Sequence, residues 1–279
     1  MPFDLDSYLA GCSQAVEGEL ERVLPPADEA PAVLHEAMRY SVFAGGKRIR
    51  PALTLAAAEC LGGNRQTCLP AAAAIELLHT YTLIHDDLPC MDDDDFRRGR
   101  PSCHKAFGEA NALLAGDALL TLAFETAAAS PAAPAAIVRT LAAAAGSRGV
   151  VGGQVADLAA TTQQPDEATM RFIHEHKTAD LFRAAVEMGA LTAKADADAL
   201  AALSAFGRAC GLAFQMVDDL LDADNPDDHS FSCVHIMGVE RARARAATLT
   251  AEAMDALRPF GTAADTLRTL AKRLLERTS

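Results

Sequence analysis

The chain has 279 residues, half of them hydrophobic, which is enough for one large domain with a sizeable core. Its formal net charge of −13 excludes nucleic-acid binding through a general basic surface. Tryptophan is absent and aromatic residues make up only 5 % of the chain, a balance that favours helix over strand.

Cysteine usage and the N-terminal residues point to the cytoplasm. The seven cysteines show no metal-ligand spacing and no CxxC pair, which is typical of reduced thiols. The first residues lack the basic and apolar regions of a signal peptide, and no uncharged apolar run is long enough to span a bilayer. We therefore expect a cytoplasmic protein without stable membrane insertion.

Helical spacing of apolar residues along most of the chain predicts one all-α domain over residues 1–279. Proline and glycine mark its helix boundaries. These are Pro25-Pro26, Gly45-Gly46, Gly62-Gly63, Pro131, Pro134, Gly152-Gly153, Pro165 and Pro226. Between them fit roughly ten helices, which we expect to form a bundle around a deep central cavity.

The first polar motif is a basic turn that enters a helix, with the sequence GGKRIRP from Gly45 to Pro51. Lys47 and Arg50 are suited to binding a diphosphate, Arg by its bidentate fork and Lys as a point charge. Solvation of a helix end is the alternative explanation. His79, on the next helical segment, lies on the same helix side as Asp86, although a core histidine would explain it equally well.

The second motif is an aspartate cluster that follows an apolar helix. Asp86, Asp87 and Asp92 are candidate Mg²⁺ ligands, because Mg²⁺ binds through carboxylates plus substrate phosphates. The alternative is a solvated acidic loop, which the buried helix before it makes less suitable. The further aspartates, 93–95, are explained equally well by solvation or by contacts to Arg97 and Arg98. Because Pro89 interrupts the helical pattern, residues 89–101 are predicted to form a loop at the cavity mouth.

The clearest helical stripe precedes a second aspartate cluster. It consists of Leu200, Leu203, Phe206, Cys210, Phe214, Val217 and Leu221. Asp218 and Asp222 lie four residues apart on this helix, so one cation could bridge them. Asp219 between them repeats the pairing of the first cluster, and a surface charge run is the alternative. Gln215 could bind a phosphate oxygen or orient a carboxylate.

Together these motifs resemble those of the trans-isoprenyl diphosphate synthases. The resemblance rests on GGKRIRP, on HDDLPCMDDDDFRRGRPSCHKAF from His85 to Phe107, and on FQMVDDLLD from Phe214 to Asp222. It covers residues 38–245 and is strongest to the bacterial-type farnesyl diphosphate synthases. It implies an all-α homodimer that condenses isopentenyl diphosphate with an allylic diphosphate, dimethylallyl or geranyl, to give farnesyl diphosphate.

The resemblance also implies roles for individual residues. Three Mg²⁺ ions, or Mn²⁺ in their place, would be held by Asp86, Asp87, Asp92, Asp218 and Asp222. Isopentenyl diphosphate would be bound by Gly46, Lys47, Arg50, His79 and Arg98. The allylic substrate would be contacted by Arg97, Lys177, Thr178 and Gln215, with Gln154 lining the cavity. Catalysis would depend on Asp86, Asp87, Asp92, Arg97, Lys177 and Asp218.

Product length is expected to depend on the residues just before the first cluster. Tyr81 and Thr82 lie five and four residues before Asp86, about one helix turn below it. Family members with an aromatic residue here tend to stop at farnesyl, whereas a small residue permits longer products. Tyr81 could also be an ordinary core residue.

The sequence departs from the family pattern after Asp222. The family has a longer loop there, rich in Gly and Lys, whereas residues 223–233 contain no Lys or Arg. This departure would suit a weakened homologue that acts as a partner subunit of another synthase. Independently of it, the chain could make geranyl or geranylgeranyl diphosphate instead of farnesyl diphosphate. A terpene cyclase would leave Lys47, Arg50 and His79 with nothing to bind.

Overall fold

The computed structural model describes residues 3–160, 166–222 and 232–275. Helices dominate this part of the chain, so the all-α prediction is confirmed. The α-helices are α1 Leu5–Val23, α2 Ala32–Val42, α3 Ile49–Cys60, α4 Arg65–Asp86, α5 Cys103–Phe107, α6 Glu109–Ala128, α7 Pro134–Ala145, α8 Val150–Ala160, α9 Glu167–Ile173, α10 Asp180–Thr192, α11 Ala197–Asp222, α12 Cys233–Met237, α13 Val239–Ala256 and α14 Asp265–Leu275.

The described residues contain more helices than the ten expected, because short segments interrupt the long ones. Helices α5 and α12 have only five residues each. A π-helix, His174–Ala179, joins α9 to α10, and a 3₁₀-helix, Arg258–Ala264, precedes α14. Two short antiparallel strands, β1 Phe96–Arg97 and β2 Arg100–Pro101, pair Phe96 with Pro101 within the predicted loop.

Helix α4 is the centre of the first of two hydrophobic clusters. Its residues from Ala71 to Leu78 are all buried, including a run of four alanines that lets neighbouring helices approach closely. The helix starts at Asn64, whose side chain accepts a hydrogen bond of 2.7 Å from the backbone N–H of Gln66. Burial on all sides fixes α4 in place and thereby fixes the aspartates at its C-terminal end.

Helix α11 belongs to the second hydrophobic cluster and carries the second aspartate pair. Leu203, Phe206 and Cys210 are fully buried, as the predicted stripe requires. A Cβ at Gly211 would lie 2.6 Å from the Cα of Ala179, so glycine is needed for the close approach of α11 to the π-helix. This close contact places the two elements that carry Asp218 and Lys177 side by side.

The predicted helix boundary at Gly152-Gly153 is wrong, because α8 runs through both glycines. These glycines allow neighbouring helices to pack closely and do not end the helix. A Cβ at Gly153 would lie 2.3 Å from the backbone nitrogen of Lys177, so α8 could not approach the π-helix with a larger residue there.

Two of the described helices, α4 and α11, are long and apolar enough to cross a membrane by length and composition alone. In α4, 83 % of the most apolar window is buried inside the protein, and in α11 56 % is buried. Core helices of this kind pass the same test, so it gives only weak support for a membrane span.

Candidate active site

The first aspartate cluster is formed where α4 ends and the chain folds back on it. The backbone N–H of Asp92 donates to the carbonyl oxygen of Asp86 at 2.9 Å, which returns the loop to the helix end. Burial, together with the nearby Asp92 and Asp87 carboxylates, raises the pKa of Asp86 to about 7, although Lys177 opposes the shift. Partial burial, Asp157 and Asp94 likewise raise the pKa of Asp92, which Lys177 opposes.

Among the nearby cations, Lys177 has the largest effect on the pKa values of Asp86 and Asp92. It lies on the π-helix, and its Nζ is 2.5 Å from Asp157 Oδ2 on α8. Burial alone would lower its pKa, but Asp157, Asp86 and Asp92 together raise it. Lys177 is therefore a stable ammonium group that faces the first aspartate cluster. Short π-helical segments within α-helices often mark functional sites.

The three carboxylates of the second aspartate cluster differ in their exposure to solvent. Asp219 is buried, and its Oδ2 accepts a 2.6 Å hydrogen bond from the backbone N–H of Cys233 and lies 3.3 Å from His174 Nε2. These contacts, with Gln215, lower the pKa of Asp219 despite its burial. Asp222 is exposed at the end of α11, and Asp218 is half-buried.

A chain of hydrogen bonds connects the π-helix to α11. Thr178 Oγ1 donates to Gln215 Oε1 at 2.7 Å, and Gln215 Nε2 donates to Asp219 Oδ1 at 2.9 Å. Thr178 and Asp219 are thus joined through Gln215, and the sequence had singled out all three residues. The structure therefore brings both aspartate clusters against the same π-helix.

A basic cavity of about 470 Å³ lies beside the start of α3. It is lined by Gly46, Lys47, Arg48, Arg50, His79 and Arg98, among others. Arg50 Nη1 is 3.2 Å from His79 Nε2, and the Arg50 guanidinium lies 5.1 Å from the centre of the Phe182 ring. The structure therefore places all five residues predicted to bind isopentenyl diphosphate around one cavity.

The electrostatics of this cavity favour an anion. Burial, together with the nearby Arg98, lowers the pKa of Arg50 to about 10, although Glu76 and Asp218 oppose the shift. Burial and then Arg50, Arg98, Arg48 and Arg97 lower the pKa of His79 well below its usual value, so His79 is neutral. A buried guanidinium group without a full complement of carboxylates is stabilised by a bound anion.

Gly46 is required for the position of Arg98. The Arg98 Nη1 donates to the carbonyl oxygen of Gly45, and a Cβ on Gly46 would lie 2.7 Å from the central carbon of the guanidinium group. Gly46 also has a φ of +123°, which favours glycine. The glycine pair therefore lets the guanidinium lie directly against the backbone of the turn.

Arg97 is engaged by carboxylates of its own loop. Its Nε and Nη2 donate to Asp87 Oδ1 at 2.8 and 2.5 Å, and Nη2 also lies 2.5 Å from Asp94 Oδ2. One oxygen of Asp87 is thus already bonded within the chain. The predicted roles of Asp87 in metal binding and of Arg97 in substrate binding remain predictions.

A largely apolar cavity of about 260 Å³ begins at Asp86, at the C-terminal end of α4. Its lining includes Tyr81, Thr82, Met91, Val150, Gln154 and Leu158. Tyr81 is 6 % exposed and its ring meets that of His85 edge-on, with 5.2 Å between the centroids. Asp86 lines the same cavity, so the cavity extends from the aspartate cluster to the Tyr81 ring.

Gln154 lines this apolar cavity with an unsatisfied amide. Within the described residues, neither its Oε1 nor its Nε2 has a hydrogen-bond partner, although both atoms are buried. Buried amides without partners are costly, which is consistent with contact to a bound ligand.

Three interactions at the site were missed by the sequence reasoning. Asp157 pairs with Lys177, Glu76 forms a 2.7 Å buried ion pair with Arg48, and His174 contacts Asp219. Asp157 lies three residues after Gln154, one helix turn along α8, and this spacing was the available signal. Glu76 gave a signal as a lone charge within a run of apolar residues. Residues 223–231, which belong to the segment without Lys or Arg, lie outside the described residues.

The donors fit divalent magnesium. Asp86, Asp92, Asp218 and Asp222 offer only oxygen atoms, which Mg²⁺ prefers. Burial and the neighbouring Asp92 raise the pKa of Asp86, and partial burial with Asp157 and Asp94 raises that of Asp92, so each carboxylate lies where its negative charge is disfavoured. A cation between them would relieve both costs.

Comparison with known proteins identifies the family. The family model for polyprenyl synthetase matches residues 31–230. The chain belongs to the polyprenyl synthetase family. It is 42 % identical to geranylgeranyl pyrophosphate synthase 7 of Arabidopsis thaliana, an alignment that covers 92 % of this chain and 79 % of the relative. It is also 42 % identical to the large subunit 1 of a heterodimeric geranylgeranyl pyrophosphate synthase of the same plant, over 92 % of this chain and 75 % of the relative.

Solved structures agree with this family assignment. An FPP/GFPP synthase from Zymomonas mobilis superimposes with a TM-score of 0.91 at 39 % identity, over 97 % of this chain and 98 % of that one. The chain is thus a trans-prenyltransferase of isoprenoid biosynthesis, and its substrates are prenyl diphosphates. The family uses divalent metal ions, in agreement with the carboxylate clusters.

Proposed function

We propose that the protein condenses isopentenyl diphosphate with dimethylallyl or geranyl diphosphate and releases farnesyl diphosphate. The observation that carries the product assignment is the Tyr81 ring in the apolar cavity that begins at Asp86. The similar proteins do not agree on product, since two are named for geranylgeranyl and one for farnesyl and longer chains. The cavity of this chain is therefore the better guide.

The basic cavity is the proposed site of isopentenyl diphosphate. Lys47, Arg50 and Arg98 would bind its two phosphates, and neutral His79 would hydrogen-bond without adding charge. The Phe182 ring below the Arg50 guanidinium orients that fork, so its donors converge on one position. Binding in this cavity fixes the double bond of isopentenyl diphosphate relative to the other substrate.

The aspartate clusters and Lys177 are the proposed site of the allylic diphosphate. We propose three Mg²⁺ ions held by Asp86, Asp92, Asp218 and Asp222, with Asp87 as a further ligand. When bound, Mg²⁺ would neutralise the charge that develops on the departing diphosphate. Lys177 supplies a fixed positive charge next to the same carboxylates. Thr178 and Gln215 orient this region through their hydrogen bonds.

The apolar cavity is the proposed site of the growing tail. Its side chains exclude water from the allylic carbocation, which would otherwise be hydrolysed. The double bond of isopentenyl diphosphate attacks this carbocation and forms the new carbon–carbon bond. The released diphosphate then accepts the proton whose loss restores a double bond. Tyr81 ends the space available to the tail, because its ring is buried and packed against His85. Thr82 contributes a smaller part of the same wall.

Product analysis tests the farnesyl assignment. The purified protein is incubated with labelled isopentenyl diphosphate, Mg²⁺ and either dimethylallyl or geranyl diphosphate, and the products are separated by chain length. We expect farnesyl diphosphate from the wild type and longer products from Tyr81→Ala, because the ring no longer blocks the tail. Tyr81→Phe is the matched control, which keeps the ring and should keep the farnesyl product.

Three outcomes would reject parts of this proposal. A geranylgeranyl product from the wild type would show that Tyr81 does not stop elongation. An unchanged farnesyl product from Tyr81→Ala would place the end of the cavity elsewhere. No product with either starter would favour the second candidate, a subunit that needs a different partner chain. The basis for that candidate is the absence of Lys and Arg from 223–233 and the heterodimeric name of one relative.

We also propose that the protein is a cytoplasmic homodimer. Helix α6 carries two neighbouring exposed leucines, Leu113 and Leu114, whose exposed fractions are 45 % and 54 %. Leu114 lines a shallow apolar groove with Leu34 and Met38 of α2 and Leu122 of α6. Adjacent exposed apolar side chains are typical of protein interfaces. Sedimentation of the purified chain should therefore give the mass of a dimer.

A further inference from the structure

A second group of possible metal ligands lies on the outer side of the loop that follows Asp92. It consists of Asp93, Asp95 and His104, whose ligand atoms all lie within 4.8 Å of one another. Asp93 and Asp95 are exposed, whereas the His104 side chain is 3 % exposed. None of the three belongs to the proposed diphosphate sites.

The His104 ring points an unsatisfied nitrogen towards the two carboxylates. Its Nδ1 is 3.0 Å from Ser102 Oγ, and within the described residues its Nε2 is buried without a hydrogen-bond partner. The Nε2 atom is 3.9 Å from Asp93 Oδ1, which is too long for a hydrogen bond. When Nδ1–H donates to Ser102, the lone pair of Nε2 faces two negatively charged groups with no proton between them.

This arrangement is the usual environment of a metal-binding imidazole. A histidine that ligates a metal through one ring nitrogen generally has the other nitrogen held by a hydrogen bond, which fixes the tautomer and the ring. Ser102 is itself buried and fixed, because its backbone N–H donates to the carbonyl oxygen of Asp95 at 2.9 Å. The nitrogen ligand is therefore preorganised, while the two exposed carboxylates have room to move inwards.

We propose that Asp93, Asp95 and His104 form a binding site for a divalent transition-metal ion of the Zn²⁺ class. One imidazole and two carboxylates match Zn²⁺, Mn²⁺ or Fe²⁺ better than Mg²⁺, which prefers oxygen ligands alone. Zinc bonds to nitrogen and oxygen are about 2.0–2.2 Å long, so the ligand atoms would contract modestly around the ion. Water would complete the coordination on the exposed side.

The ion would connect the loop to helix α5. Asp93 follows the proposed Mg²⁺ ligand Asp92, and Asp95 precedes Arg97 by two residues. Lys105 Nζ now lies 2.7 Å from Asp95 Oδ1, so a metal ion and this lysine would share or compete for the carboxylate. The site would hold the backbone of the loop in place without touching substrate.

Zinc binding by the intact protein tests this proposal. Equilibrium dialysis with Zn²⁺ is performed in millimolar Mg²⁺, which occupies the all-oxygen sites, on the wild type and on single variants. We expect Asp93→Asn and Asp95→Asn to weaken one Zn²⁺ site at least tenfold, since each loses a direct ligand. Asp94→Asn is the matched control: it removes the same charge from the same loop but lies outside the ligand set, so the site should persist.

Nitrogen NMR of the histidine side chains distinguishes a metal ligand from a protonated histidine. Addition of Zn²⁺ should shift Nε2 of His104, assigned by its loss in His104→Gln, while Nδ1 keeps its bond to Ser102. The proposal is overturned if all variants bind Zn²⁺ alike, if Zn²⁺ shifts only other histidines, or if His104 responds to pH alone. Because Asp93→Asn and Asp95→Asn change only exposed side chains, the dialysis test remains valid even if His104→Gln does not fold.

Discussion

Two regions of the molecule have the same order of structural elements around an aspartate pair, but they stabilise their aspartates by different contacts. In the first, α4 ends at Asp86-Asp87 and the chain reaches Ser102, α5 and Gly108 before α6 begins. In the second, α11 carries Asp218-Asp219 and the chain resumes at Ser232, α12 and Gly238 before α13. The two glycines have nearly the same backbone angles, with φ of 82° and 78° and ψ of 155° and 156°.

The two regions differ in how they stabilise the second aspartate of each pair. Asp87 receives the guanidinium of Arg97, which is itself 35 % exposed, and burial still raises the pKa of Asp87. Asp219 receives a backbone N–H, the Gln215 amide and His174, and its pKa is lowered although burial opposes this. Several donors therefore outweigh burial at Asp219, whereas one partly exposed cation does not outweigh it at Asp87.

The comparison separates two uses of paired aspartates. The second members, Asp87 and Asp219, are 2 % and 6 % exposed and hold their own regions together through bonds within the chain. The first members, Asp86 and Asp218, are half-buried, and their proposed role is to bind metal. Asp87 combines a proposed metal contact with its bond to Arg97. Substitution of a first member should therefore affect mainly turnover, whereas substitution of a second member should also affect stability.

The largest effect is expected from Asp86→Ala. Turnover should fall about a thousandfold, because the variant loses a carboxylate that is proposed to bind the metal stabilising the leaving diphosphate. The steady-state rate of prenyl transfer at saturating Mg²⁺ measures this. Asp28→Ala removes the same group from an exposed position far along the chain from the site and serves as the control. Near wild-type turnover in Asp86→Ala would remove the metal role from this residue.

Asp219→Ala should produce the largest loss of stability. It leaves the N–H of Cys233 and the His174 ring buried without their shared acceptor, so the free energy of unfolding should fall by about 3 kcal/mol. Asp87→Ala should cost only about 1 kcal/mol, because the partly exposed Arg97 keeps its bond to Asp94 and can reach solvent. Urea unfolding in EDTA gives both values. Equal losses would mean that the two second aspartates are held alike.

The sequence predicted the parts of this arrangement that depend on spacing. Helical periodicity placed Asp218 and Asp222 one turn apart, and Pro89 marked the end of the first helix. It could not show which member of each aspartate pair faces inwards, because that depends on Cys233, His174 and Arg97, which lie 14, 45 and 10 residues from their partners. The sequence also wrongly predicted a helix boundary at Gly152-Gly153, because glycine occurs both at close helix contacts and at turns.

A pH experiment sharpens the contrast between Asp86 and Asp219. The folded pKa of Asp86, about 7, exceeds its ordinary value of 3.8, so the folded protein binds this proton more readily than the unfolded chain does. The ionised carboxylate therefore destabilises the ion-free protein progressively between about pH 4 and 7 and fully above that range. Asp86→Asn should remove this penalty and raise the free energy of unfolding at pH 8 by about 2 kcal/mol.

The gain from Asp86→Asn should disappear as the pH approaches 4 and should shrink when Mg²⁺ stabilises the wild type. Asp219→Asn provides the comparison, because the lowered pKa of Asp219 gives the opposite sign. That carboxylate contributes stability above its ordinary pKa and loses it only as the pH falls through the folded value. Urea unfolding in EDTA across this pH range measures both. A gain from Asp86→Asn that did not change with pH would show that charge is not its cause.

The smallest effect tests whether the two regions share one backbone requirement. Gly108 and Gly238 each have a positive φ with ψ near 155°, a combination that is strained for any residue with a Cβ. No atom lies within 4 Å of a Cβ built at either position, so the cost of Gly→Ala is backbone strain alone. Gly108→Ala and Gly238→Ala should therefore each lower the free energy of unfolding by about 1–2 kcal/mol, and by the same amount within error. A clear difference between the two in urea unfolding would mean that one short helix can shift to relieve the strain, and that the shared plan of the two regions does not extend to their rigidity.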